Sequence, residues 1–267
     1  MKKIIHISDL HFGTEKPEIA EAVLKNISAL QPDVVVVSGD LTQRARVSQY
    51  KAAQQYLKKI PFPQIVVPGN HDITLFDIFR RFINPLKRFK KFINPVVNPV
   101  YRDEEIAIMG INTARSLTWK EGRISVEQMA EMRKTFCPLP KEIFKILVTH
   151  HPFIPPPDDS GIKLVGRSKK ALKVIAECEI ELLLAGHLHH GYSGDVRTHY
   201  PLHKTSVLVV QAGTVFSRRI REMPNAYNFL EVSRREIRLR VRSWNGDQFI
   251  EEQVENFIKV NEDWQKG

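Results

Sequence analysis

The chain alternates short, wholly apolar runs with longer amphipathic stretches. "KKIIHIS" (2–8), "DVVVVS" (33–38) and "QIVVP" (64–68) are β-branched, brief and bounded by polar or turn residues, the pattern of buried strands. Between them, "PEIAEAVLKNISAL" (17–30) and "VSQYKAAQQYLKKI" (47–60) have helical spacing, the first opening on Pro17, which suits a first turn. Strand–helix–strand–helix–strand predicts right-handed crossovers and a largely parallel sheet. The pattern recurs with strands at 105–111, 143–149 and 180–186 and helices at 125–136 and 168–179, Ser125 being a candidate N-cap. After residue 190 helical spacing fades, and "TSVLVVQAG", "AYNFLEVS" and "EIRLRVRSW" read as strands, the last two as a hairpin. The expectation is one α/β domain over 1–267, with parallel units first and an antiparallel, β-rich part from about 191.

Composition changes this picture little. At 267 residues, 42% hydrophobic and 26% charged, the chain has ordinary globular values. No run approaches the ~18 apolar residues of a membrane span. The basic start "MKKIIHISDLH" loses its apolar run at Asp9, too soon for a signal peptide. Cys137 and Cys178 form no disulfide framework and read as apolar fillers, so a cytoplasmic location is expected. Charge is more informative: +10, with pI near 9.6, favours phosphoester substrates, nucleic acid or an anionic membrane without choosing among them.

The chemistry collects where strands are predicted to stop. Asp9 and His11 follow the first strand in "SDLH", Asp40 the second in "SGDLT", and Asn70, His71 and Asp72 the third in "PGNHD". The strand at 143–149 runs into His150-His151-Pro152, and that at 180–186 into "GHLHH", with His187 and His189. In α/β sheets ligands bind just beyond the carboxyl ends of strands, so five ends can converge on one crevice. Aspartate, imidazole and amide oxygen suit Zn, Mn or Fe, and no cysteine takes part. Asp9/His11 and His187/His189 are spaced i, i+2, so on extended backbone each pair points one way. Seven candidate ligands exceed the needs of one four-coordinate ion; two ions sharing a carboxylate would use them all.

The ordered blocks D-x-H, G-D, G-N-H-D, H-x-P and G-H-x-H resemble those of the calcineurin-like metallophosphoesterases, over most of the chain. The resemblance implies a two-sheet β-sandwich flanked by helices, with a binuclear metal centre at the strand ends. It assigns Asp9, His11 and His189 to one ion and Asn70, His150 and His187 to the other, with Asp40 bridging. His150 is preferred to His151 because one residue separates the family's ligand from proline. His71 would contact the substrate phosphate and stabilise or protonate the leaving oxygen, and Asp72 would orient His71. Two ions about 3.5–4 Å apart clamp phosphoryl oxygens and bring a bound water's pKa near ~7.

The wording around the motifs ("ISDLHFG", "SGDLTQRA", "INTARS", "THHPF", "AGHLHHGYSGD") is similar to the bacterial class III cyclic-nucleotide phosphodiesterase branch. A small phosphodiester, 3′,5′-cyclic AMP foremost, is the implied substrate, with Asn70, His71 and Arg115 as candidate substrate-binding residues. The alternative is a lipid-linked pyrophosphohydrolase of the UDP-2,3-diacylglucosamine type, although the best-known branch of those enzymes carries Arg at the position of His71. A DNA nuclease would explain the charge, but no appended DNA-binding domain is visible and nucleic acid is not an expected partner. A non-catalytic scaffold conflicts with the complete ligand set. Metal identity and oligomeric state stay open.

One segment exceeds a minimal enzyme of this kind: "LFDIFRRFINPLKRFKKFINPVV" (75–97). Leu75, Phe79, Phe82, Leu86, Phe89 and Ile93 recur at alternating 4, 3 spacing among Arg80, Arg81, Lys87, Arg88, Lys90 and Lys91, and Pro85 should divide two short helices. Residues 75–93 are therefore either a basic amphipathic lid for an anionic membrane or acylated substrate, making the protein peripheral to the membrane, or a helical insertion whose aromatic side packs on the core.

Overall fold

The protein is described here by a computed structural model covering residues 1–74, 77–157, 159, 161–219 and 223–267, with only the backbone of Ile78 and Arg80. Leu75 lies outside these residues. The first half contains β1 (Lys2–Ile7), α1 (Pro17–Leu30), β2 (Val34–Val37), α2 (Val47–Lys58) and β3 (Gln64–Val66). Two short helices follow, α3 (Ile78–Ile83) and α4 (Lys87–Phe92), then β4 (Val100–Arg102), β5 (Ile106–Gly110) and α5 (Val126–Phe136). The remainder is β6 (Phe144–Val148), α6 (Ser168–Glu177), β7 (Leu182–Ala185), β8 (Tyr192–Asp195), β9 (Leu208–Gln211), β10 (Ala226–Val232), β11 (Glu236–Trp244), β12 (Phe249–Val260) and β13 (Asp263–Lys266).

These strands make two sheets, ordered β13-β12-β11-β10-β1-β2-β3 and β4-β5-β6-β7-β9-β8. Alternation within each strand builds the layers, because successive side chains leave opposite faces. Ile4, Val34, Val36 and Ile65 meet Ile108, Ile146, Leu182 and Val210 between the sheets. Ile5, Ile7, Val35 and Val37 face outward onto Val23 and Ile27 of α1 and Tyr50 and Ala53 of α2. On the other outer face Met109, Leu147, Leu183 and Val209 pack under Met132 of α5 and Leu172 and Ile175 of α6. The result is the expected two-sheet sandwich flanked by helices. Both faces of the parallel strands are covered, so those strands read as continuous apolar runs rather than alternating ones.

Several expectations are corrected. The β-rich part after residue 191 is not one antiparallel sheet: β9 pairs parallel to β7, extending the second sheet, while β10–β13 add antiparallel to β1 in the first. β12 gave no clear strand signal, because most of its side chains are exposed and the expected alternation is missing. The insertion divides in character. Leu86 and Phe89 are buried in the core beside α2, whereas Phe79 and Phe82 are exposed. His6 is a core residue of β1, its Nε2 2.9 Å from Ser38 Oγ, and burial holds its pKa down at about 3.

Cys137 and Cys178 are joined in a disulfide rather than being inert fillers. α5 and α6 lie side by side on one sheet face and end together, bringing residues 41 apart in sequence to a Cα–Cα distance of 4.3 Å. Sequence alone offers no partner test for two isolated cysteines. Closing a loop of this length restricts the unfolded chain by about 4 kcal/mol in the chain-entropy treatment. Dithiothreitol should therefore lower the thermal midpoint by roughly 10 °C, and Cys178→Ser should show the same lower midpoint with or without reductant. A reductant-insensitive midpoint in the unsubstituted protein would count against the bond.

Candidate metal centre

After β1, β2 and β7 the chain turns at once through unusual backbone. Asp9, His11, Asp40, His187 and His189 have φ of +54°, +46°, +52°, +79° and +60°, the left-handed region that non-glycine residues seldom occupy. Such conformations cost of order 1–3 kcal/mol each and persist where the surroundings dictate them. The i, i+2 pairs are thus not extended, as the spacing had implied; they converge because each turn folds back over its strand end. Close approach also demands glycine. A Cβ on Gly69 would collide with Asp40 Oδ1, and one on Gly186 with Ser8 Oγ.

The turns bring all seven expected ligands into one buried cluster. His11 Nε2 lies 3.5 Å from Asp9 Oδ1 and 3.7 Å from Asp40 Oδ2, and His189 Nε2 lies 3.6 Å from Asp9 Oδ1. On the other side of Asp40, His150 Nε2 is 3.4 Å from Oδ1 and 3.1 Å from Asn70 Oδ1. His187 Nδ1 is 3.0 Å from the same amide oxygen. Asp40 therefore stands between two sets of donors. Outer partners orient the rings: His150 Nδ1 meets Ser38 O at 2.8 Å and His189 Nδ1 meets Thr214 Oγ1 at 2.6 Å, leaving each Nε2 turned inward.

Whether this set fits cations is answered by what it leaves unpaired. Asp9 Oδ1 and His11 Nε2 are fully buried and have no hydrogen-bond partner, although they point toward each other. A buried carboxylate oxygen without a donor is costly, and a divalent cation between these atoms removes the cost. Burial opposes ionisation of Asp9 and Asp40, but the neighbouring histidines outweigh it and hold both carboxyls below the usual range. Burial likewise works against a charge on His150, yet Asp40 and Asp9 keep its pKa up at about 9. His187, desolvated beside His150, is pushed down to about 3. The donors comprise aspartate oxygen, amide oxygen and imidazole nitrogen, which suits Mn, Fe or Zn.

His151 sits next to this group without joining the Asp40 contacts. Its Nδ1 is 2.7 Å from Thr113 Oγ1, its Nε2 is unpartnered, and its ring lies 4.6 Å from that of His187. His150 thus lies beside Asp40 and Asn70, while His151 groups with His150 and His187, their donor atoms within 4.8 Å of one another.

His71 and Asp72 part company. The His71 backbone N–H donates to Asp40 Oδ1 at 2.8 Å, and its ring Nδ1 meets Gln43 O at 2.8 Å. Asp72 does not orient that ring, contrary to expectation. Its carboxylate accepts from Gly69 N, Leu41 N, Thr42 N and Thr42 Oγ1, pinning the turn after β2 to the turn after β3. The two turns lie side by side because β2 and β3 are adjacent parallel strands, so the carboxylate finds backbone donors before it can reach the ring. Burial, and then Asp40, raise its pKa to about 6 despite those donors.

Arg115 is not brought to the cluster. Its guanidinium donates to Arg123 O at 3.3 Å and lines a cavity of about 430 Å³ with Asn112, Ser116, Ser125 and Gln128. Sequence reasoning missed Arg219 instead. Its Nη1 lies 2.8 Å from His71 Nε2, and its backbone carbonyl accepts from Thr214 Oγ1, the hydroxyl that also contacts His189. The available signal was the basic pair Arg218-Arg219 shortly after the "VVQAG" strand, on the same edge as the other turns.

The sequence profile described as calcineurin-like phosphoesterase matches residues 2–191. A probable cyclic nucleotide phosphodiesterase of Vesicomyosocius okutanii is 34% identical over 76 residues, 26% of this chain and 33% of that protein, so the chain spans only about a third of that relative's length in the match. A probable glycerophosphodiester phosphodiesterase GpdQ of Arcobacter nitrofigilis is 27% identical over 206 residues, covering 70% of this chain and 71% of the relative. Among solved structures, a dimetal phosphatase from Danio rerio superposes with a TM-score of 0.64 at 14% identity, covering 95% of this chain and 98% of the other, which speaks to the fold alone. With the whole series of strand-end motifs inside the matched region, the chain belongs to the calcineurin-like phosphoesterase family.

Proposed function

We propose that this chain is a binuclear-metal phosphodiesterase acting on a small phosphodiester, with 3′,5′-cyclic AMP as the leading substrate. The observation that carries the reading is Asp40 held between two donor sets, one of which leaves Asp9 Oδ1 and His11 Nε2 buried and unpaired. Asp9, His11 and His189 would hold one ion, Asn70, His150 and His187 the other, and Asp40 both. When bound, the ions supply Lewis acidity to the phosphoryl group and a water acidic enough to attack it near neutral pH.

The remaining chemistry belongs to side chains. Gln43 O accepts from His71 Nδ1, which fixes the tautomer and presents Nε2 to the site. In the free protein that nitrogen accepts from Arg219, and burial lowers the pKa of His71, so the ring is neutral. An anionic diester entering beside this pair takes over the guanidinium contact and favours uptake of a proton from solvent on Nε2, from which it passes to the leaving oxygen. Arg219 then holds a non-bridging phosphoryl oxygen. Asp72 contributes indirectly, by keeping the two turns that carry Asp40 and His71 in register. The names of the relatives, cyclic nucleotide and glycerophosphodiester phosphodiesterases, support a diester with an alkoxide leaving group.

Leaving-group dependence tests this division of labour. On metal-reconstituted enzyme, His71→Ala should lower kcat/KM for cyclic AMP by about a hundredfold or more, and much less for bis-p-nitrophenyl phosphate, whose leaving group needs no proton. Equal losses on both substrates would remove His71 as the acid. Arg219→Met should cost about ten- to a hundredfold on both, the 1.5–3 kcal/mol of a charge-assisted contact, with metal content unchanged. Absence of turnover on either diester by metal-replete enzyme would overturn the reading.

A further inference from the structure

The insertion after the metal centre presents an apolar surface that the hydrolytic reading does not use. Phe79, Phe82 and Ile83, spaced i, i+3, i+4 on α3, and Leu117 and Trp119 in the segment after β5 are between 54% and 81% exposed. Arg81 fastens the two segments together. From the buried side of α3 its guanidinium donates to Ser116 O and Thr118 O, each at 2.7 Å, and to Thr74 O at 3.1 Å, and it lies 5.7 Å from the Trp119 ring. The same six-residue helix thus buries an arginine on loop carbonyls while Phe79 and Phe82 face water. Five large apolar side chains gathered this way expose several hundred Å², on the order at which a surface patch marks an interaction site.

The surroundings say what covers it. Lys87, Lys90 and Lys91 on α4 and Lys120 beside Trp119 are exposed, and from 73 to 102 Asp77 is the one acidic residue. Glu121, which follows Lys120, is paired with Lys163. Leu86 and Phe89 anchor α4 in the core, so its lysines project from a fixed base. Exposed apolar side chains in segments rich in lysine and poor in acid match a surface with hydrocarbon beneath an anionic layer. The position is also telling: Thr74 is two residues past Asp72, and Thr113, in the same segment as Trp119, contacts His151.

We propose that the face formed by Phe79, Phe82, Ile83, Leu117 and Trp119, assisted by the lysines of α4 and Lys120, docks on an anionic phospholipid bilayer and holds the metal centre close to the lipid surface. Docking needs no turnover, so it is tested independently of the hydrolytic reading. The experiment is co-sedimentation of the full chain with phosphatidylcholine vesicles, with and without phosphatidylglycerol. The unsubstituted protein should sediment with the phosphatidylglycerol vesicles, and Phe79→Ser, Ile83→Ser and Trp119→Ser combined should reduce the bound fraction at least tenfold. Lys90→Glu with Lys91→Glu should also weaken binding severalfold, and the loss should fade as salt is raised. An unchanged thermal midpoint in each variant separates loss of docking from loss of fold. No sedimentation of the unsubstituted protein, or equal sedimentation of the serine variant, would overturn the proposal. Self-association that the serine variant abolishes, without vesicle binding, would overturn it too and assign the face to a second copy of the chain.

Discussion

Two aspartates buried at the ends of adjacent strands are the constraint around which this molecule is arranged. Asp9 and Asp40 are shut off from water and surrounded by imidazoles, yet Asp9 Oδ1 finds no donor. A protein interior tolerates a carboxylate only when something positive or proton-donating meets it, and an oxygen left bare costs 1–3 kcal/mol or more. Here the scaffold fixes the rings of His150 and His189 from outside, through Ser38 O and Thr214 Oγ1, instead of letting them turn to satisfy the acids. The polypeptide holds open a negatively charged gap, and cations are the natural means of closing it.

The fold serves that gap. Parallel strands end on the same edge, so side chains distant in sequence, from Asp9 to His189, meet without long loops. Left-handed backbone at five of the seven donors is strain that the continuous strands and three packed cores are stable enough to hold. Asp72 stitches the β2 and β3 turns together, which fixes the distance between Asp40 and the Asn70-His71 pair. Arg219 and Thr214 bring a further turn, the one after β9, into the same assembly, joining the His189 side to the His71 side.

Much of this is legible in the amino-acid order because the donors sit on short local motifs attached to strong strand signals. "SDLH", "SGD", "GNHD" and "GHLH" each carry their own turn chemistry, and the apolar runs before them identify the edge they share. What escaped was non-local. The partner of Asp72 is decided by which strands are neighbours, not by the residue beside it in sequence. Arg219 acts across 148 positions on His71, and nothing near it announces a site. Arg115, in a suggestive "INTAR" context, turns instead to Arg123 O. The pairing of Cys137 with Cys178 depends on two helices ending together, and the insertion split between core and surface because Leu86 and Phe89 reach α2 whereas Phe79 and Phe82 do not.

Crystals grown with manganese, measured at a wavelength where manganese scatters anomalously, test the central claim most directly. The account predicts two anomalous peaks, both within bonding distance of Asp40, one also beside Asp9, His11 and His189 and the other beside Asn70, His150 and His187. A cluster without anomalous density, or a single ion that leaves Asp40 uncoordinated, would contradict it.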